Sequence, residues 1–215
     1  MKFRKNIKLN TNDLKKSLKL PLQMSKELAE FIGIHFGDGY MKRRERGTYD
    51  LHYSINLRDI EYANHINTLF YSLFNIKLKM FIIPQKNAID MYQNSKSLCT
   101  FFNQELKIPY SPKKELPIPK FIKSNKTYAQ HFIRGIFDTD GCIVVQRDKG
   151  KYLYNLIKIS TSIKSFADDI KLLLNELGLR CYICRDRTGF DIVIRNKDSF
   201  SRFIRLVQPK NNKGK

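Results

Sequence analysis

The sequence predicts an α+β fold: two αββαββα units related by a pseudo-twofold axis, each an antiparallel four-stranded sheet backed by helices, joined at their first helices. Three observations carry that expectation. The chain repeats itself: residues 31–39 read FIGIHFGDG, residues 133–141 read IRGIFDTDG, and Asp38 and Asp140 correspond at an offset of 140 − 38 = 102. Ile55 with Tyr62-Ala63-x-x-Ile66-x-x-Leu69 returns as Ile159 with Phe166-Ala167-x-x-Ile170-x-x-Leu173, at 159 − 55 = 104. Met91-Tyr92-x-Asn94-x-x-Ser97-Leu98-x-x-Phe101-Phe102 returns as Val193-Ile194-x-Asn196-x-x-Ser199-Phe200-x-x-Phe203-Ile204, at 193 − 91 = 102. Blocks repeated in one order mark a tandem duplication, and a repeat decides architecture before any single element does. Within each copy, apolar spacing also switches between helical and alternating periods, and a proline-rich stretch divides the copies.

In the first copy, Ser25 is placed as an N-cap, and Leu28, Phe31, Ile32 and His35 recur at helical spacing up to Gly37. Asp38-Gly39 is expected to stop that helix, glycine supplying the conformation of the stop. Residues 40–46 and 51–57 alternate about Gly47 and read as a β-hairpin. Residues 60–74 are helical, with Asn75 as C-cap where the second copy has Gly178. Residues 77–83 and 88–92 give a second hairpin, and residues 95–106 a closing helix. The second copy repeats this order over residues 127–207. Between them, Pro109, Pro112, Pro117 and Pro119 cannot continue a helix and read as a semi-rigid spacer. The plan is a basic N-terminal arm (1–24), a first unit (25–106), a linker (107–124), a second unit (125–207) and a basic tail (208–215).

Of 215 residues, 40 are Lys or Arg and 20 are Asp or Glu, a formal charge of +20, while 42% are hydrophobic and 15 are Phe. So apolar a chain builds a core, and its charge is not that of a disordered tail. A polyanionic partner is what the charge asks for, and nucleic acid is the obvious one. No apolar run approaches the ~20 residues of a membrane span. Residues 1–20 lack the apolar region and cleavage site of a secretory signal, so an intracellular protein is expected, cytoplasmic or in an organellar matrix. Cys99, Cys142, Cys181 and Cys184 are too few and too scattered for a disulfide scaffold. Cys181-x-x-Cys184 has metal-ligand spacing but no partner pair, and it lies in a stretch that reads as a strand.

Gly33-x-x-x-Gly37 and Gly135-x-x-x-Thr139 put small residues four apart on each first helix, which lets two backbones approach. Packed about the pseudo-twofold, these helices would set Asp38 and Asp140 side by side at their C-terminal ends. Either Asp-Gly alone is ordinary turn chemistry. At matching positions in both copies, the two carboxylates repel each other and the helix dipoles. A divalent cation with oxygen ligands removes that conflict. His35, His52, His65 and His131 are dispersed and read as helix or sheet residues.

The helices ending in FIGIHFGDG and IRGIFDTDG resemble the motif helices of the LAGLIDADG homing endonucleases, in their monomeric double-motif form, and the resemblance runs from about Ser25 onward. It implies Asp38 and Asp140 as metal-binding and catalytic acidic positions, with Gly33, Gly37, Gly135 and Thr139 as helix-packing positions. The sixth motif position is Phe36 in one copy and Asp138 in the other, a departure at a position that is not a metal ligand in that family. The implied activity is a staggered double-strand break in a specific double-stranded DNA, dependent on Mg²⁺, for which Mn²⁺ can substitute. Phosphodiester hydrolysis needs a metal-activated water and a second cation at the leaving oxygen. Arg58, Thr161 beside Ser162, and Lys113 or Lys114 in the linker are the catalytic helpers the resemblance suggests. The alternative is an RNA maturase of the same fold, bound to its own intron RNA with or without cleavage. A start at Met and too little length for self-splicing blocks read as a free-standing intron-encoded protein rather than an intein.

Strand parity assigns the nucleic-acid face. Tyr40, Lys42, Arg44 and Arg46 share one side against Met41. His52, Ser54 and Asn56 are left open while Leu51, Tyr53 and Ile55 point to the helices. The second copy offers Cys142, Val144 and Gln146, then Tyr152, Tyr154 and Lys158. The following hairpins add Gln85, Lys86 and Asn87, and in the second copy Arg185, Arg187 and Asp191. Arg, Gln, Asn and Lys read base edges from a β-ribbon in the major groove, and the unlike faces imply an asymmetric target. Lys2, Arg4, Lys5, Lys8, Lys15, Lys16 and Lys19, with Lys210, Lys213 and Lys215, are expected on phosphates.

Overall fold

In the computed structural model, which describes residues 2–3, 7–44, 47–148 and 152–211, the duplicated pattern becomes two sheets of the same order. The expectations placed on Arg4, Lys5, Arg46, Lys213 and Lys215, and on the Tyr152 side chain, lie outside the described residues. After α1 (Thr11–Lys15), the first unit runs α2 (Lys26–Gly37), β1 (Gly39–Arg43), β2 (Tyr49–Asn56), α3 (Ile60–Phe74), β3 (Lys79–Ile83), β4 (Ala88–Asn94) and α4 (Lys96–Gln104). After α5 (Lys120–Lys123), the second runs α6 (Lys126–Asp140), β5 (Gly141–Asp148), β6 (Tyr152–Thr161), α7 (Lys164–Glu176), β7 (Tyr182–Asp186), β8 (Gly189–Ile194) and α8 (Lys197–Val207). Both sheets are antiparallel, in the orders β1-β2-β4-β3 and β5-β6-β8-β7. Gly39 lies opposite Tyr53 and Gly141 opposite Ile159, so by the offset that relates Ile55 to Ile159 the second hairpin is paired two residues further along its return strand.

Local chemistry sets the helix ends. The Ser25 and Asn125 side chains each accept from the amide three residues on, at 3.1 Å, and open the two motif helices. Asn75 (φ 58°) and Gly178 (φ 76°) take the left-handed conformation after α3 and α7. Met41, Leu51, Tyr53 and Ile55 are buried toward the helices, as are Ile157, Ile159, Ile192 and Ile194 in the second unit. Phe31 centres the first core, its ring 5.5 to 5.9 Å from those of Tyr53, Phe70, Phe74 and Phe102. Among the described residues, no helix is long and apolar enough to cross a membrane.

Three expectations are corrected. Gly39 does not supply a left-handed stop: Asp38 caps α2 in the right-handed region (φ −83°, ψ −4°), and Gly39 already begins β1. Glycine is needed there because the strand leaves the helix end so closely that a Cβ would lie 2.5 Å from the His35 carbonyl oxygen. Gly141 stands in the same relation to Phe137, at 2.6 Å. The N-terminal segment is not a free arm. Lys2 bridges to Gln23, the Phe3 ring packs edge-on against Phe101 at 5.2 Å, and Leu18 and Met24 are buried. The linker is more than a spacer. It carries α5, buries Ile108, Leu116, Ile118 and Ile122, and clips Ser111 to β1 through its amide and the Met41 carbonyl at 2.7 Å.

Candidate active site and nucleic-acid face

The seam between α2 and α6 is the most extensive helix contact in the molecule. A Cβ on Gly33 would run into the Phe132 carbonyl, and one on Gly135 into the Glu30 carbonyl, so the backbones touch where the helices cross. One turn on, a Cβ on Gly37 would meet the Thr139 side chain and stand 3.0 Å from Asp140 Oδ2. Thr139 donates back to the Gly135 and Ile136 carbonyls, 3.0 Å from each, so its hydroxyl brings no unmet polar demand into the seam. Asp38 follows Gly37 directly. The two half-buried carboxylates therefore arrive at one place because four small residues let the helices converge there.

From the linker, Lys113 reaches the same place. Its Nζ donates to the carbonyls of His35 (2.6 Å), Phe36 (3.0 Å) and Gly37 (3.4 Å) at the end of α2. Those are carbonyls a helix end leaves unpaired, and a cation suits the negative end of its dipole. Burial pushes the ammonium down to about 8, against the opposing pull of the Asp140 and Asp38 carboxylates. An open cleft of about 470 Å³ lies beside them, bounded by Phe36, Lys113, Asp140, Thr161, Ser162 and Asp191 among others. Thr161 and Lys113 are thus brought to Asp140. Arg58 and Lys114 are not: both are exposed and neither lines the cleft, Arg58 lying on the single 3₁₀ turn Leu57–Asp59.

Among the described residues, no group of three or more His, Cys, Asp or Glu could hold a metal ion. The donor set is two half-buried carboxylates, of which Asp140 lines the cleft. That suits a hard cation which completes its shell from water and phosphate, the usual way Mg²⁺ is held, and not a closed structural site. All four cysteines are free thiols.

On the open face of the first sheet, Tyr40, Lys42 and Ser54 are exposed and His52 half-buried. Gln85, Lys86 and Asn87 are exposed in the β3–β4 turn. Three expected base readers have internal partners, Ser54 donating to Asp90 at 3.0 Å. Arg44 is ion-paired to the buried Asp50, and Asn56 accepts from the Arg58 amide at 3.0 Å. In the second sheet, Gln146 is exposed, Cys142 and Val144 are half-buried, and the Arg195 guanidinium sits 4.5 Å from the Tyr154 ring centroid. Lys158 is held by Asp191 at 2.7 Å, which also accepts from Ser160 at 2.7 Å. Arg185 is misplaced by the sequence reading. It pairs with Phe190 and shares the parity of Ile183, which packs on the core, so it lies on the other side from Cys184 and Asp191. Arg187 is exposed in the β7–β8 turn, and Lys2, Lys8, Lys15, Lys16, Lys19 and Lys210 are exposed.

Two buried polar centres carry no sequence signal. Glu30 on α2, 5% exposed, bonds His65 of α3 at 2.8 Å and Arg134 of α6 at 3.1 Å. Burial raises its carboxyl, but hydrogen bonds from His131 and His65 and the Arg134 charge outweigh that and bring it to about 2. Asp138, 1% exposed, accepts from the Lys210 and Asn211 amides at 3.0 and 3.1 Å and so fastens the segment after α8 onto α6. Burial pushes its carboxyl up to about 6, with those amides and Arg134 holding it back. Phe36, the equivalent residue of the first copy, instead packs edge-on against Phe132 across the seam, at 5.4 Å. His35 is buried with Nδ1 2.9 Å from the Tyr53 hydroxyl, and burial holds it neutral.

Residues 127–208 match the family model of the LAGLIDADG-like domain. The chain is 28% identical over 193 residues to an A-type ATP synthase subunit of Pyrococcus abyssi, covering 87% of this chain and 17% of that protein. It is 25% identical over 179 residues to the probable translation initiation factor IF-2 of Thermococcus kodakarensis, covering 81% of this chain and 14% of that protein. It thus spans a small part of both. The fold matches that of the homing endonuclease I-DmoI. A structure of an I-DmoI variant with nicked target DNA and manganese superposes with a TM-score of 0.60 at 20% identity, over 87% of this chain and 98% of that one. The N-terminal LAGLIDADG domain of DUF199/WhiA superposes with a TM-score of 0.58 at 14% identity, over 88% and 85%. The resemblance drawn from the two motif helices holds, by family model over the second unit and by fold over both.

Proposed function

We propose, from a chain whose second unit is a LAGLIDADG-like domain and whose two-unit fold is that of I-DmoI, that this protein is a monomeric, site-specific DNA endonuclease. It works inside the cell, makes a staggered double-strand break in a long asymmetric target, and is the product of a mobile intron. The observation that carries the reading is the meeting of Asp38, Asp140 and Lys113 at the end of the α2–α6 seam. Segments similar to this chain lie within two longer proteins of unrelated name. That recurrence suits an element that moves between genes rather than one serving either host.

Asp38 and Asp140 would hold Mg²⁺, or Mn²⁺ in its place. When bound, the ion supplies an acidified water and charge neutralisation at the phosphate. The chain's own groups do the rest. Close helix packing fixes the two carboxylates relative to each other, one from each half of the duplicated fold. Lys113, with its ammonium brought to about 8, is poised to hold a phosphate oxygen or to exchange a proton near neutral pH. The Thr161 and Ser162 hydroxyls line the same wall as Asp140 and can orient the phosphate. The formal charge of +20 adds salt-dependent attraction to the duplex backbone.

The test is cleavage of a plasmid library by purified protein with Mg²⁺, followed by the same assay with Asp38→Asn and Asp140→Asn. Each variant should bind the selected sequence as the wild type does and cut it at least about 100-fold more slowly. Cutting by either variant at the wild-type rate refutes the assignment.

A further inference from the structure

Four rings cross the open face of the first sheet in strand order: Tyr40 on β1, His52 on β2, Tyr92 on β4 and Phe81 on β3. Tyr40 meets His52 edge-on at 6.3 Å, His52 and Tyr92 stack at 5.4 Å and 20°, and Tyr92 and Phe81 stack at 5.6 Å and 14°. The Lys79 ammonium lies 5.6 Å from the Tyr92 centroid. Phe81 is 53% and Tyr40 41% exposed. Nearly parallel rings at these separations are too close to lie side by side in one plane. Their faces are therefore turned on one another and their edges point outward.

Cross-strand rings do stabilise a sheet, but this sheet has a twin that keeps the same strand order without them. Counted along the ladders from Gly39 and Gly141, the positions of Tyr40, His52, Tyr92 and Phe81 are held in the second sheet by Cys142, Lys158, Val193 and Cys184. The ridge belongs to one half alone, and two of its rings stay exposed.

Its geometry narrows the partner. Single-strand platforms stack unpaired bases on open ring faces, whereas here His52 and Tyr92 turn faces on neighbouring rings and only the end rings, Tyr40 and Phe81, keep a face clear of the other three. What the ridge offers is a line of apolar edges across an otherwise cationic face. In the major groove of a duplex, the apolar group that such edges meet is the thymine C5-methyl. We infer that the Tyr40–His52–Tyr92–Phe81 ridge reads thymine methyl groups in the half-site under the first sheet. The half-site under the second sheet has no such ridge and is read through exposed polar groups such as that of Gln146. This rests on the duplex-binding reading above.

The experiment selects bound sequences from randomised duplexes amplified with dTTP or with dUTP, because uracil pairs as thymine does but lacks the methyl. With dTTP, thymine should be enriched in one half of the selected site. With dUTP, that half should lose its preference while the other keeps its own, and affinity for the selected site should fall about fourfold per methyl removed. Phe81→Ala should erase the preference in that same half, and Phe81→Leu, still apolar, should restore part of it. The exposed edge-strand position of Phe81 lets both variants fold, which melting curves would verify.

A thymine preference that survives in the dUTP pool, is lost alike in both halves, or is never seen overturns the inference while duplex binding stands. Tighter binding to one strand of the selected sequence than to its duplex overturns it in favour of base stacking. No enrichment of any sequence from either pool overturns the duplex reading itself, and the inference with it.

Discussion

Gly135→Ala asks whether the two motif helices touch backbone to backbone, and it does so through a sign. In an open helix, alanine is better than glycine by about 1 kcal/mol, so an unconstrained site would gain stability. At Gly135 the new Cβ would run into the Glu30 carbonyl and stand 2.6 Å from the Ile34 nitrogen and 2.9 Å from the Gly33 carbonyl carbon. These are main-chain atoms that cannot rotate aside. Overpacking costs about 1–3 kcal/mol, and with rigid obstacles the upper end applies. The net loss is therefore about 2 kcal/mol, which in a chain of this size lowers the melting temperature by about 4–8 °C. Activity should suffer more than stability. The clash is relieved by spreading the helices, and Asp140 lies five residues further along α6, so it moves away from Asp38. Misplacement of reacting groups by an ångström can cost about 100-fold in rate. Thermal melting and cleavage, both well below the transition, measure the two effects. An unchanged or raised melting temperature would mean the helices do not meet there.

Two pH-linked predictions follow from buried groups. The Asp138 carboxyl is raised to about 6 by burial, so its contribution to stability is present below pH 4 and lost as pH rises through 6. Asp138→Asn keeps a carbonyl acceptor for the Lys210 and Asn211 amides without the charge. Its stability should match the wild type's at pH 4 and exceed it by about 3 kcal/mol at pH 7. Equal denaturant midpoints at both pH values would show that Asp138 is not ionised in a buried place. The Lys113 ammonium is lowered to about 8, so its contribution is present above pH 10.5 and lost as pH falls through 8. In cation-free buffer, the stability difference between wild type and Lys113→Met should shift toward the wild type by about 3 kcal/mol between pH 7 and pH 10.5. A difference independent of pH would put Lys113 in water rather than at the helix end.

What could be read from sequence is what repeats or what has a period. The two motif helices, the sheet parities and the small residues at the seam all announce themselves through spacing, since Gly33, Gly37, Gly135 and Thr139 recur four apart in two copies. The Asn75 and Gly178 ends were legible because only a few residue types tolerate that backbone. Other features depend on distance in space. Glu30 sits among helical residues with no outward sign that His65, His131 and Arg134 converge on it from two other helices. Lys113 is one lysine among many, and only the path of the linker carries it to the end of α2. The face of Arg185 depends on the β7–β8 register, which pairs it with Phe190 and which nothing in the local sequence marks. The packing of residues 7–24 was hidden by their charge, which masks the few apolar anchors, Leu18 and Met24, that hold them down.

The Glu30–Arg134 pair has no mirror image in the duplicated fold. At the 102-residue offset, the second copy has Phe132 where the first has Glu30, and the first has Ile32 where the second has Arg134. Two copies of the first half joined seam to seam would leave a buried carboxylate facing isoleucine, and two of the second would set a buried guanidinium against phenylalanine. Each would lose its opposite charge across the seam and keep only the partners of its own half, His65 for Glu30 and the Val207 carbonyl for Arg134, at a cost in stability. The pair therefore favours each half joining its opposite over a copy of itself. A half borrowed from a related protein would have to bring a matching charge of its own.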